Sequence, residues 1–318
     1  MILDFSITNF KSINETQTLS FEATPDEHLD DYFVIQKDKY RILKLAAILG
    51  ANASGKSNVL KAFQMLRQLI LKPCENKTDK IGTDSFALDD RCKDIDTGLK
   101  INFLCNESKF CYEVRFNDRL ISYESLTAQP FGKLRPHVVF TRTTDTSEMV
   151  STLKLGAKYR SAKITESLTT NLLHNRTVFG AFLHSNVNVT WLKDLITWTD
   201  QYLLPNITTD EQNLQRYVAS LIDQEKIRKE DGAELLKQAD IGVCNFDLEK
   251  KEEQLPADLV EAILNDNNAP TGLKERLKEH PVGINFKVSM KHSGVNCQKT
   301  FEFEKESSGT QRYFELSG

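Results

Sequence analysis

Gly50-Ala51-Asn52-Ala53-Ser54-Gly55-Lys56-Ser57 matches the pattern G-x-x-x-x-G-K-[ST] at every fixed position. The spacing has a chemical reason. Glycines allow a tight backbone turn, so that successive N–H groups face inward and can cradle phosphate oxygens. A helix starting at the end of the turn adds the positive end of its dipole. Lys56 then reaches the outer phosphates, and the Ser57 hydroxyl is placed to ligate Mg2+. Four fixed positions of this kind match somewhere in a chain of this length about 1% of the time by chance. The flanks agree with the motif. The run Ile42-Leu43-Lys44-Leu45-Ala46-Ala47-Ile48-Leu49 is almost wholly apolar and predicts a strand buried on both faces. Val59, Leu60, Phe63, Leu66 and Ile70 then recur at helical spacing, and Pro73 ends the helix.

The rest of the chain divides by periodicity. Leu3, Phe5 and Ile7 alternate with polar residues, as do Leu19 and Phe21, so two short strands precede a polar loop at 24–31. From 99 to 127 the period of two returns, with polar turns near 106–108 and 117–118, and predicts an antiparallel meander; 137–142 adds a strand. Helical patterns follow at 164–183, 189–203 and 209–238, with shorter ones at 257–264 and 273–279. Strands are expected again at 283–291 and 298–304, and the charged run Glu249-Lys250-Lys251-Glu252-Glu253 reads as a solvated loop. The expected divisions are a P-loop lobe at 1–154, a helical insertion at 155–275, and a return to the lobe at 276–318.

Composition narrows the function classes. The formal net charge of −4 argues against a protein whose whole surface coats nucleic acid, so nucleic acid is a partner that the bulk charge does not indicate. Six cysteines without CxxC spacing point to reduced thiols rather than a zinc or redox motif. The six histidines show no HxH or HExxH spacing, and His174 reads as a surface or core residue. No apolar run of 18 residues occurs and the first residues lack the features of a signal peptide, so a soluble, cytoplasmic protein without a membrane partner is expected. Trp191 and Trp198, seven apart, read as packing residues or a helix-partner face.

Asn9-Phe10-Lys11-Ser12, some forty residues ahead of Gly-Ala-Asn-Ala-Ser-Gly-Lys-Ser-Asn, resembles the opening of the SMC-like and OLD-like ATPases of the ABC class. The wording through Asn58 is most similar to bacterial AAA-type, ABC-like ATPases of anti-phage defence loci, such as RloA-like, retron-associated and PARIS-type ATPases. Asn171-Leu172-Leu173 and Ala239-Asp240-Ile241-Gly242-Val243 also resemble that group, as does Glu306-Ser307-Ser308-Gly309-Thr310-Gln311-Arg312, which looks like its version of the ABC signature. The resemblance implies an α/β, ABC-like P-loop NTPase fold with an antiparallel β subdomain and a helical insertion. It implies ATP and Mg2+ as cofactors, with Lys11 near the nucleotide. Ser307 and Gly309, with Thr310 beside them, would reach the γ-phosphate held by a second copy, giving a homodimer or higher homo-oligomer closed head-to-tail around ATP. The closed assembly would control an effector protein such as a nuclease, with the helical insertion as the partner surface.

Hydrolysis in the ABC class needs a buried strand ending in Asp-Glu. No run of four apolar residues followed by Asp-Glu occurs, and Ala87-Leu88-Asp89-Asp90 is too short and lies in a polar region. The family places that strand a few tens of residues after the signature, so these acids are expected beyond Gly318 and no catalytic residue is assigned. Two other classes remain. An SMC-type repair ATPase would carry long heptad coiled coils, and the 120-residue insertion shows no sustained heptads. An OLD-like nuclease would need an acidic metal cluster, and no such cluster is evident.

Overall fold

The computed structural model describes residues 1–51, 54–206, 214–239, 242–265, 274, 277–278, 280–293 and 297–316. It falls into two compact units, Met1–Asn206 and Ile207–Gly318. The single division lies at 206/207, whereas the sequence expects divisions at 154/155 and 275/276. The reason is packing. The first three insertion helices bury their apolar faces on the first sheet, so they belong to that unit.

The first unit is built on a seven-stranded antiparallel sheet in the order β2-β1-β5-β6-β7-β8-β9. Its strands are β1 (Ile2–Thr8), β2 (Gln17–Ser20), β5 (Thr97–Cys105), β6 (Ser108–Phe116), β7 (Ile121–Pro130), β8 (His137–Asp145) and β9 (Val150–Leu155). The alternation read from sequence is realised in β1, where Leu3, Phe5 and Ile7 are buried between partly exposed neighbours. Strands β3 (Val34–Lys37) and β4 (Tyr40–Leu43) form a separate hairpin, and a short helix α1 (Asp30–Phe33) interrupts the expected loop. Helix α2 (Lys56–Leu71) lies on the sheet, with Ala62, Phe63, Met65, Leu66, Leu69 and Ile70 buried at helical spacing. The Phe63 ring stacks on Phe5 at 4.0 Å, and burying one such side chain contributes about 2 kcal/mol. Helices α3 (Ala162–Asn171), α4 (Val178–Leu183) and α5 (Thr190–Tyr202) complete this layer. Trp198 is buried against Phe103 at 4.0 Å, the packing role expected of it, and Trp191 lies beside Phe140 and Tyr159.

Two expectations fail here. The run 42–49 is not a strand buried on both faces. Pairing ends at Leu43, and Leu45 and Leu49 are 69% and 90% exposed. A continuous apolar run becomes a buried strand only when strands flank it, and none pairs with 44–49 among the described residues. The helix expected over 164–183 is broken at 172–177. Those residues are almost entirely buried, and their side chains satisfy neighbouring backbone instead of continuing the helix. Asn175 donates to the carbonyls of Asn76 and Asp79, Arg176 to Cys74 and Glu75, and Thr177 to Leu69 at 2.9 Å. Thr177 also caps α4 by accepting from Gly180 N. His174 is therefore a buried connector residue.

This connector is tied to the sheet by a buried ionisable pair. Arg142 (β8) faces Glu124 (β7) in the ladder. Arg142 donates to the carbonyls of Ile121, Leu173 and His174 and to Ser151 Oγ. Glu124 accepts from Val178 N at 3.0 Å and from Tyr112 Oη at 3.0 Å. Burial pushes the Glu124 carboxyl up to about 7, although Arg142 and the N–H of Val178 pull the other way. The unfolded chain releases that proton near 4.5. Between these values the folded state holds the extra proton, so this group's contribution to stability falls as pH rises, by at most about 1.4 kcal/mol per pH unit. Denaturation midpoints of the wild type should therefore decline relative to Glu124→Gln between pH of about 4.5 and about 7, and run parallel above. Parallel curves throughout would refute this.

The second unit carries a three-stranded antiparallel sheet of β10 (Val243–Gln254), β11 (Val282–Ser293) and β12 (Gln298–Glu302). With it are helices α6 (Leu214–Asp223), α7 (Lys229–Gln238), α8 (Ala257–Asn265) and α9 (Ser308–Glu315). The run 249–253 is thus a strand, not a loop. Its register with β11 pairs Glu249 with Lys287 and Glu253 with Gly283, so backbone pairing holds it while the charges stay in water. The helical pattern 209–238 is split after α6, where Glu225 takes a left-handed backbone conformation. Residues 273–279 lie mostly outside the described residues. Phe314 of α9 is fully buried against Phe246 and Phe303, at 5.1 and 5.5 Å. No helix among the described residues is long and apolar enough to cross a membrane.

Candidate functional site

Helix α2 begins directly on the glycine turn. Gly55 is its N-cap residue, with φ of 90°, and no side chain caps the helix. The first turn carries no acidic residue, so its free N–H groups keep their full positive character. Gly55 is required twice over. Its backbone is left-handed, and a Cβ there would stand 2.3 Å from Ser12 Oγ. Ser12 accepts a 2.8 Å hydrogen bond from Asn58 Nδ2, which clamps the start of α2 to the β1–β2 turn. Lys56 Nζ donates to the carbonyls of Gly50 at 2.8 Å and Ala51 at 2.7 Å, folding its ammonium back over the loop. Ser54 N donates to Ala51 O at 3.3 Å. Ser57 is exposed on the first turn, and its hydroxyl makes no hydrogen bond among the described residues. Asn52 and Ala53 lie outside the described residues.

The β1–β2 turn is held by unusual backbone. Asn9 and Lys11 both have positive φ, and Phe10 and Ile13 exchange backbone hydrogen bonds. Buried Asn9 donates to Cys92 O and Ile95 O and accepts from Phe86 N, so it fixes the 84–95 segment beside the turn. Lys11 pairs with Asp84 at 2.5 Å, and Lys11 N donates to Asp84 O. Together these residues form an open groove of about 860 Å3, lined by Lys11, Ser12, Ser54, Asn58 and residues 83–88. The structure thus gathers the expected residues Lys11, Ser54 and Asn58 along one groove. Ser12 and Asp84 were missed. Ser12 lies inside the Asn9–Ser12 motif, where the sequence alone assigns it no role, and 83–88 reads in sequence only as a polar stretch. Leu88 is 89% exposed and Asp89 caps a 3-10 turn, so no buried acid-bearing strand is present at 87–90.

Ser307, Gly309 and Thr310 lie in the second unit. Ser307 is the N-cap of α9: its Oγ accepts from Thr310 N at 3.1 Å and shares a 2.9 Å hydrogen bond with Thr310 Oγ1. Thr310 is buried, whereas a Cβ on Gly309 would meet only Ser307 Oγ, at 3.7 Å. Gln311 donates to Phe303 O and Glu306 O, and His292 pairs with Glu306 at 2.7 Å. Phe314 and these bonds fix a helix end whose first residues, Ser307 to Gly309, are exposed.

An uncapped helix start, a lysine over the preceding loop and a free hydroxyl on the first turn suit the phosphates of a nucleotide, with Ser57 the side chain able to contribute to a phosphate-bound Mg2+. No group of three or more His, Cys, Asp or Glu side chains among the described residues could hold a metal unaided. The loop, and the helix that starts on it within a mixed α/β architecture, are those of a P-loop NTPase. In comparisons with known proteins, residues 45–318 match the family described as "AAA domain, putative AbiEii toxin, Type IV TA system", and the chain belongs to that family. Membership implies nucleotide binding, usually with Mg2+. No curated protein matches the chain.

Proposed function

We propose that this chain is the ATP-binding subunit of a bacterial anti-phage defence system, in which ATP closes two copies head-to-tail and so controls an effector such as a nuclease. The observation that carries the reading is the start of α2: a phosphate-ready helix end clamped through Ser12, with Lys56 poised over its loop. The family's type IV toxin–antitoxin description supports a defence-type role. The exposed start of α9 at Ser307 and Gly309 supports closure by a second copy. Since α3–α5 are committed to the first sheet, the effector surface is assigned to the helices of the second unit, where α8 buries no residue fully.

Sedimentation with and without ATP and Mg2+ tests this reading. The wild type should double its mass with nucleotide. Gly309→Glu should bind ATP normally yet stay monomeric, because its carboxylate would meet the γ-phosphate of the facing copy. Nucleotide binding without a change of mass, or an undiminished Gly309→Glu dimer, would sink the closure mechanism.

A further inference from the structure

Charge is distributed unevenly over the first unit. Residues 129–144 and 149–165 contain seven Lys or Arg and no Asp or Glu, in a chain with 45 acidic residues. Arg142 is the buried one, while Lys133, Arg135, Lys154, Lys158, Arg160 and Lys163 are all exposed. None of these six forms an ion pair among the described residues, although many surface cations elsewhere do, Lys250, Lys287 and Lys305 among them.

The fold brings the two stretches together at one end of the sheet. Gly156 N donates to Val139 O at 2.8 Å, and a Cβ on Gly156 would stand 1.9 Å from Val138 O, so only glycine permits this approach. His137 Nε2 and Tyr159 Oη share a 2.7 Å hydrogen bond, and their rings stack at 5.7 Å. Tyr159 also meets Trp191 edge-on at 5.4 Å, and Lys158 lies over the Tyr159 ring. At the tip of the β7–β8 loop, Leu134 is 95% exposed between Lys133 and Arg135. The acids around this corner are Glu166, one turn beyond Lys163 in α3, Asp145 and Glu148 in the turn at the far end of the β8–β9 hairpin, Glu107, whose carbonyl accepts from Phe131 N, and Asp38, across a small groove.

We propose that this basic, partly aromatic corner is a nucleic-acid contact surface that binds the phosphate backbone. Lysine on an edge strand is often a guard against strand pairing, which would account for Lys154 alone. The other five cations lie in two loops and at the start of α3, where no ladder needs guarding. Unpaired Lys and Arg keep their charge available to phosphates, and binding then releases counterions. Stacked His137 and Tyr159 add flat rings of the type on which bases rest. An exposed leucine flanked by cations suits a grooved polyanion. The net charge of −4 averages over this corner and hides it.

The surface does not depend on the nucleotide reading, and its test omits ATP. Anisotropy of a short fluorescent DNA duplex and a matching single strand is measured against the full chain over a salt series. At least one should bind at low salt and weaken as salt rises. Lys133→Gln, Arg135→Gln, Lys158→Gln and Arg160→Gln combined should lower the affinity on the order of 100-fold, and flatten the log–log salt slope by about 3. A control combining Lys250→Gln, Lys287→Gln and Lys305→Gln should bind as the wild type does. No binding to either nucleic acid at low salt would overturn the proposal, as would equal losses in both variants. Equally tight, equally variant-sensitive binding to phosphatidylserine vesicles would replace it with a general anionic-surface site.

Discussion

Lys56→Ala is expected to lose nucleotide affinity by roughly 100-fold or more while the fold survives nearly unchanged. Two charge-assisted hydrogen bonds to phosphate contribute about 1.5–3 kcal/mol each, which converts to that loss or a larger one. In the free protein the same ammonium bonds only to the exposed carbonyls of Gly50 and Ala51, and water can replace it there at little cost. Titration calorimetry with ATP and Mg2+ should show the loss, and thermal melts without nucleotide should superimpose. Gly55→Ala makes a useful contrast. Its Cβ would collide with Ser12 Oγ, so it should lose binding and stability together. A Lys56→Ala protein that binds ATP like the wild type would remove the phosphate site from the account.

Arg142→Met should be the most destabilising single change in the first unit, by about 3–5 kcal/mol. Arg142 is wholly buried, and its guanidinium serves the carbonyls of Ile121, Leu173 and His174 as well as Ser151 Oγ. Methionine fills much of the space but donates nothing, so four buried acceptors each lose one of their partners at once, although Thr144 Oγ1, Arg176 N and Ile121 N still serve them. Glu124 also loses its nearby cation. At the scale of this unit the cost corresponds to a fall in Tm of roughly 6–20 °C. Adding Glu124→Gln should restore part of it, because the uncompensated carboxyl is then gone. A fall of only a degree or two would mean that the connector 172–177 holds its shape without the arginine.

Local patterns were legible in the sequence where they coincide with what the chain needs. Leu3, Phe5 and Ile7 alternate because one side of β1 is covered, and Val59, Phe63, Leu66 and Ile70 recur because one side of α2 is covered, although Leu60 of the same pattern is exposed. Lys56 and Ser57 could be named because phosphate chemistry restricts residue type at fixed spacing, whereas Lys11 is implied only by the family resemblance. Features decided by distant partners were not legible. Arg176 and Asn175 look helical until the carbonyls of residues 74–79 arrive beside them. Glu249 to Glu253 look like solvated loop until β11 supplies a ladder. Apolar 44–49 reads as interior, yet interior status depends on neighbours that no periodicity can name. The basic corner escaped for another reason, since Asp145 and Glu148 interrupt the run of cations in sequence and lie in the turn at the far end of the β8–β9 hairpin in the fold.

The exposed run Leu45-Ala46-Ala47-Ile48-Leu49 has a consequence for how the protein behaves in a tube or a crowded cell. Five uncharged residues without proline, presenting Leu45 and Leu49 to water, are the kind of window on which strands of other molecules stack. Lys44 guards one end, but Gly50 follows at the other, so the guard is one-sided. The segment leading into the phosphate loop is thus also an apolar stretch left without a strand partner among the described residues. Precipitation that starts there would draw in the nucleotide site, because Gly50 follows directly.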